Sequence, residues 1–244
     1  MINSSFIKSK YKSIEADRKS FNNGDPLPLI SLPNFLPVED AYSLNKECNY
    51  IPLGNWKNFT RNGSNMYEFN QTEHMSQGTQ MVNILNSSPF LKYLEDLTGI
   101  KSLLPDPHLT GAGYSRSFNG DSLKVHTDFN WNEELKLHRA LSLIIYLTPE
   151  WKEEFGGGLG FYNQNQEEKY KATCLFNTAL IWKYDKYGYH GYNDPISCPE
   201  GLSRNTLRLF YYVSNSTHNQ DDPPHRSLYW TDKNGLPYDK KEEK

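Results

Sequence analysis

The chain has 244 residues, with 26 basic and 29 acidic side chains and a formal net charge of −3. That balance gives no sign of a polyanion-binding surface, and no apolar run approaches the roughly 20 residues that span a bilayer, so neither nucleic acid nor a membrane is an expected partner. Hydrophobic residues make up only 36% of the chain, but 17 Tyr and 12 Phe raise the aromatic share to 14%, and large rings can supply the buried area a core needs.

In chain order, residues 1–25 are rich in Ser, Lys and Asn and are expected to form a mobile N-terminal arm. They contain no apolar signal core, which implies a cytoplasmic protein. Leu27 to Leu32 reads as a short strand. "LPVEDAYSLNKECN" reads as a helix with Pro in its first turn. "NSSPFLKYLEDLTGI" gives a second helix, with Phe90, Leu91, Leu94 and Leu97 on one stripe. From about Leu103 the segments become short and rich in β-branched and aromatic residues. "SLKVHTDF", "ALSLIIYLT", "GGLGFYN", "KYKATCLFNTALIWK" and "LRLFYYVSN" read as strands, separated by turns at "FNGDS", "EEFGGG", "YNDP" and "CPEGLS". The expected architecture is mainly β with flanking helices, a sandwich or barrel rather than βαβ units. A single domain would span 26–220, with helical support over about 26–100 and a β core over about 101–215, followed by a C-terminal tail, 221–244. Cys48, Cys174 and Cys198 form no CxxC pair, so neither a disulfide framework nor a zinc–cysteine site is expected.

Strand alternation in "KVHTDF" places His126 and Asp128 on one face and Thr127 on the other. Two ligands so spaced can hold one ion from one side. His190 in "YGYHGYN" is the candidate third ligand. Two imidazoles and a carboxylate at three adjacent octahedral corners leave open positions, the arrangement of non-haem Fe(II) oxygenases. HxD alone is a common chance pair, more often a surface hydrogen bond than a ligand set. Arg204 opens the last apolar strand, and a guanidinium aimed into a β core needs an anion. Arg208 shares its face, so spacing alone does not choose between the two. On "RALSLIIY", Arg139, Leu141, Leu143 and Ile145 lie on one face, and Ser142, Ile144 and Tyr146 on the other. A Tyr hydroxyl on that second face needs a partner, unless its tip reaches the surface. Asn130 and Trp131 follow the HTD strand and are candidates for a loop over the site.

"HTD", "RALSLIIYLTPEW…GGGLGFYN", "YHGYNDP" and "SRNTLRLFYY", taken as an ordered set over residues 103–213, resemble the prolyl 4-hydroxylase-like branch of the 2-oxoglutarate/Fe(II)-dependent oxygenases. The similarity extends to the prolyl hydroxylases that act on hypoxia-inducible factor and to a bacterial and viral group of the branch. The resemblance implies a double-stranded β-helix, a cupin-like jelly roll. It implies Fe(II) on His126, Asp128 and His190, and 2-oxoglutarate with its distal carboxylate on Arg204 and Tyr146, with Ser142 lining that pocket. Arg139 would lie at the substrate mouth, and Tyr114 would stand in for a family tyrosine that precedes the HxD strand. It further implies dioxygen as oxidant, ascorbate as a possible reductant, and hydroxylation of a C–H bond, first of all in a prolyl residue of a peptide or protein, with succinate and carbon dioxide released. Hydroxylation of another side chain, a free amino acid or a small molecule is the near alternative. A non-catalytic cupin-like binding module, or a metal-dependent hydrolase or isomerase on the same fold, are the alternatives from other classes.

Overall fold

The computed structural model of the protein describes residues 4–61, 63–214 and 222–230. Five helices are α1 (Phe6–Lys10), α2 (Ile14–Asn22), α3 (Val38–Tyr50), α4 (Ser76–Leu85) and α5 (Ser88–Thr98). The strands are β1 (Leu29–Leu32), β2 (Lys57–Arg61), β3 (Ser64–Phe69), β4 (Leu104–Pro105), β5 (Gly113–Ser117), β6 (Leu123–Thr127) and β7 (Trp131–Asn132). They continue with β8 (Leu137–Tyr146), β9 (Gly160–Tyr162), β10 (Glu168–Lys171), β11 (Ala179–Lys183), β12 (Tyr189–Tyr192), β13 (Arg204–Val213) and β14 (Leu228–Tyr229). None of the described helices is long and apolar enough to cross a membrane.

The strands form two sheets. The larger runs β1-β11-β8-β13-β5-β3-β2, with β4 added to β13 and β7 to β8; the smaller runs β10-β9-β12-β6-β14. The pairings are antiparallel, and the whole is a double-stranded β-helix with helices against its larger sheet. Period-2 alternation assigns the two faces. Leu141, Leu143 and Ile145 of β8 and Leu207, Leu209 and Tyr211 of β13 join the core beneath the helices, where Phe90, Leu94 and Leu97 of α5 also lie. Ile144 and Tyr146 point the other way, into a second core with Phe161, Trp182 and Tyr192.

One departure from alternation matters for the site. Tyr211 pairs with Leu141 but Tyr212 pairs with Arg139, so Ala140 is an extra residue in β8. A bulge of this kind re-aims the side chain next to it. Arg139 therefore leaves the Leu141 face and joins Ser142, to whose hydroxyl it donates. Simple alternation had placed it on the opposite face.

Residues 4–25, expected as part of a mobile arm, contain α1 and α2, and Phe6, Ile7 and Phe21 are buried. Tyr11 meets the ring of Tyr93 of α5 edge-on, 5.8 Å between centroids. The few apolar residues of this polar stretch fall on one side, which composition alone does not register. The sequence reading also lacked α4 and the β2–β3 hairpin, and it merged β10 and β11 into one strand. Within the expected tail, residues 222–230 are structured and supply β14; the rest of that expectation lies outside the described residues.

Phe21 is 1% exposed, so Phe21→Ala should lower unfolding free energy by about 3–5 kcal/mol in denaturant titration. A loss of less than about 0.5 kcal/mol, as for a surface substitution, would show that α2 does not belong to the folded core.

Candidate metal centre

The centre is built on the smaller sheet. β12 lies antiparallel to β6 with His190 directly opposite His126, their ring centroids 4.8 Å apart. The approach depends on Gly191. A Cβ there would come within 2.6 Å of the Leu123 carbonyl oxygen and 2.9 Å of Val125 Cα. Each imidazole is fixed in the same way. Nδ1–H of His126 donates to the Lys124 carbonyl, and that of His190 to the Gly188 carbonyl, both at 2.8 Å. This leaves Nε2 of each ring with a free lone pair, the tautomer a metal ligand requires. Flanking rings hold the pair. Tyr229 of β14 stacks on His126 at 5.3 Å, and Phe161 of β9 stacks on His190 at 5.4 Å.

Asp128 follows β6 and completes the set. Its Oδ1 lies 3.8 Å from His126 Nε2, and its Oδ2 lies 3.6 Å from His190 Nε2. One ligand atom from each residue lies within 4.8 Å of the others. Burial pushes the Asp128 carboxyl up, but Arg139, His190, His126 and Arg208 overcome it and hold the group below the usual carboxylate range. Burial, with His190 beside it, lowers His126 to about 4. The donors are thus a carboxylate and two imidazoles, and they fit a borderline-hard divalent ion such as Fe(II).

Arg139 orients the carboxylate. Its Nη2 donates to Asp128 Oδ2 at 2.8 Å, with the arginine side chain 1% exposed. Nε and Nη2 also donate to Ser142 Oγ, and the guanidinium carbon sits 3.4 Å from the centroid of Phe210. Ser142 is fully buried, and its hydroxyl faces Arg139.

Arg204 and Tyr146 lie further along the same interior face. Arg204 is 5% exposed and, among the described residues, pairs with no carboxylate. Its guanidinium carbon lies 4.9 Å from the ring centroid of Tyr146 and 5.1 Å from that of Tyr192. The Tyr146 hydroxyl interacts with this guanidinium, and among the described residues neither it nor Arg204 Nε has another partner at hydrogen-bonding geometry. A buried cation beside a hydroxyl is the receptor expected for a carboxylate, so these residues fit 2-oxoglutarate. Gly157, with φ +76°, makes the room. A Cβ there would meet Arg204 Cδ at 2.8 Å. Arg208, which alternation could not separate from Arg204, has a partner in Glu68, 2.7 Å away.

A cavity of about 720 Å³ opens over the triad and is walled by His126, Asp128, His190, Arg139, Trp131 and Phe210, among others. Arg204 and Tyr146 are not on its wall, which reaches only to Ile144 and Leu159. Two expected substrate contacts lie elsewhere. Tyr114 faces the helices and donates to Glu47 Oε2 at 2.9 Å, because alternation on β5 turns Ser115, not Tyr114, toward the interior. Asn130 fastens the chain. Its amide donates to the Asp222 and Pro223 carbonyls and its Oδ1 accepts from His225 N–H. The sequence reading did not assign Trp182, edge-on to His190 at 5.3 Å, to the site, nor Glu68, Arg208, His225 or Tyr229. Only the convergence of β3, β13 and residues 225–229 on one cavity reveals them.

Residues 112–212 match the family model described as the 2OG-Fe(II) oxygenase superfamily. The match covers less than half of the chain, and His126, Asp128 and His190 all lie within it. The proteins the chain is similar to include prolyl hydroxylases. Prolyl 3-hydroxylase OGFOD1 of Mus musculus is 23% identical over 198 residues, which cover 77% of this chain and 33% of that protein. The chain thus spans about a third of the length of this curated relative. The fold is similar to that of a prolyl hydroxylase from Trichoplax adhaerens, solved in complex with a hypoxia inducible factor oxygen degradation domain peptide fragment. The TM-score is 0.61 and the identity 15%, over 84% of this chain and 92% of that one. A Pseudomonas putida prolyl-4-hydroxylase aligns with a TM-score of 0.53 and 15% identity, over 82% of this chain and 98% of that one.

Arg139→Gln removes the only ion-pair partner of Asp128 outside the triad among the described residues. It should weaken Co(II) binding, measured by calorimetric titration, by about 10–100-fold. Tighter binding would show that Arg139 acts on the ion by repulsion and not by holding Asp128.

Proposed function

We propose that the chain is an Fe(II)- and 2-oxoglutarate-dependent dioxygenase that hydroxylates a prolyl residue of a peptide or protein, releasing succinate and carbon dioxide, with ascorbate as a reductant. The observation that carries this reading is the pairing of a three-donor metal set with a buried arginine, Arg204, that has no carboxylate partner among the described residues.

In this reading His126 Nε2, Asp128 and His190 Nε2 hold the iron. Bound iron supplies the redox chemistry that couples oxidative decarboxylation of 2-oxoglutarate by dioxygen to C–H hydroxylation. The chain supplies position and charge. Arg204 pairs with the distal carboxylate of 2-oxoglutarate, and the Tyr146 hydroxyl donates to it. Ser142 accepts from Arg139 and so keeps that guanidinium on Asp128. Phe129, Trp131, Phe210 and Trp182 on the cavity wall exclude water and offer apolar faces to a pyrrolidine ring. A prolyl substrate is supported by the names of the relatives, which are prolyl hydroxylases acting at either ring position.

Iron-loaded protein given 2-oxoglutarate and proline-containing peptides should release succinate and add one oxygen atom to the peptide, read by mass spectrometry. His126→Ala should abolish both. Arg204→Leu should raise the 2-oxoglutarate requirement at least about thirtyfold, equivalent to roughly 2 kcal/mol, while metal affinity holds. Succinate formation that is indifferent to His126→Ala would sink the proposal.

A further inference from the structure

The cavity wall carries a second, partly buried pair of charges that the proposed chemistry does not use. Arg208 of β13 and Glu68 of β3 meet at 2.7 Å, with side chains 11% and 17% exposed. The five N–H donors of Arg208 are poorly matched. Among the described residues, one bond goes to Glu68, Nη1 has only the Met66 sulfur at 3.9 Å, and Nε is buried with no partner. Nη1 of Arg139, on the same wall, is also buried without a partner among the described residues. Unmatched buried donors are costly, and here both belong to cations facing one cavity.

The charge count points the same way. The wall holds the cations Lys57, Arg139, Arg208 and Arg226. Against them stand the carboxylates of Glu68, Asp128 and Glu133, and in the proposed reading Asp128 already serves the metal. The chain as a whole is negative, at −3, so this excess of positive charge is local to the site. With iron matched by Asp128 and one carboxylate of 2-oxoglutarate, and Arg204 matched by the other, the four wall cations face Glu68 and Glu133 alone. A further negative charge would offset part of that excess.

We infer that the substrate brings a carboxylate into this cavity, and that Arg208, poised by Glu68, is the residue that reads it. The inference rests on the proposed hydroxylase reading and narrows its substrate class. The carboxylate has two possible sources, an acidic side chain close to the target residue or the free α-carboxylate of a C-terminal or single amino acid. Either would accept from the Arg208 guanidinium on the cavity wall, in the charge-assisted bonds that guanidinium groups form best.

The test uses matched probes on the full iron-loaded chain. Proline peptides with Asp at neighbouring positions are compared with their Asn counterparts. A peptide ending in proline, and free L-proline, are compared with the C-terminal amides. The expected result is a kcat/KM for oxygen insertion at least tenfold higher for the acidic member of one of these sets; which set shows it identifies the source. Arg208→Gln should bring that ratio close to one. Because Arg208→Gln alone strands the Glu68 carboxylate, E68Q/R208Q is examined beside it and should show the same ratio. Equal rates within every pair, preference for the amides, or no oxidation of any acidic probe by a chain that binds 2-oxoglutarate would overturn the inference. Calorimetric titration of 2-oxoglutarate onto the iron-loaded chain separates the two readings. If 2-oxoglutarate does not bind, the hydroxylase reading fails and this one with it.

Discussion

Arg139 is buried between two sheets, where an unmatched guanidinium would be costly. Its position is set by one extra residue, Ala140, which turns it onto the face that carries Ser142 and toward Asp128. From that ion pair the rest of the interior can be followed. Asp128 is held ionised and oriented. Its two oxygens then face the Nε2 atoms of His126 and His190 at 3.6–3.8 Å, and the backbone carbonyls behind each ring keep those lone pairs free. A buried pair of this kind contributes little net stability, but loss of one partner is strongly destabilising. Its value here lies in the geometry it imposes on a ligand.

The two sheets divide the labour. The smaller sheet brings the donors together through a single close approach, β12 on β6, made possible by Gly191. The larger sheet lines up four guanidinium or hydroxyl groups on its inner face: Arg139 and Tyr146 on β8, Arg204 and Arg208 on β13. Each cation meets a different counter-charge. Arg139 has Asp128, Arg208 has Glu68, and Arg204 has none among the described residues. That difference in partner, and not burial, separates an arginine suited to a ligand carboxylate from its neighbours.

Much of this was legible in the sequence where period 2 holds. HxD on β6, the apolar run of β8 and the R-x-x-x-R spacing of β13 all follow from alternation, and the motif order carried the family. The failures have physical causes. A bulge moved Arg139 by one register step, which no pattern of side chains announces. Tyr114 fell on the outer face because β5 begins at Gly113 with Ser115 and Ser117 inward. Asn130 looked like a loop residue free to meet substrate, yet its amide fastens residues 222–225, a contact 92–95 positions away in sequence. The N-terminal helices were hidden by a polar composition in which few residues, Phe6, Ile7 and Phe21, are buried. The partner that distinguishes Arg208 from Arg204, Glu68, lies on a hairpin whose strands have a weak local signature.

The most direct test of the central claim is a crystal structure of the protein grown without oxygen in Fe(II) and 2-oxoglutarate, with data collected on both sides of the iron absorption edge. The expected result is an anomalous peak within bonding distance of His126 Nε2, Asp128 and His190 Nε2, and a 2-oxoglutarate whose distal carboxylate meets Arg204. An iron peak at any other site, or a 2-oxoglutarate bound away from Arg204, would contradict the assignment of this interior as the metal and co-substrate site.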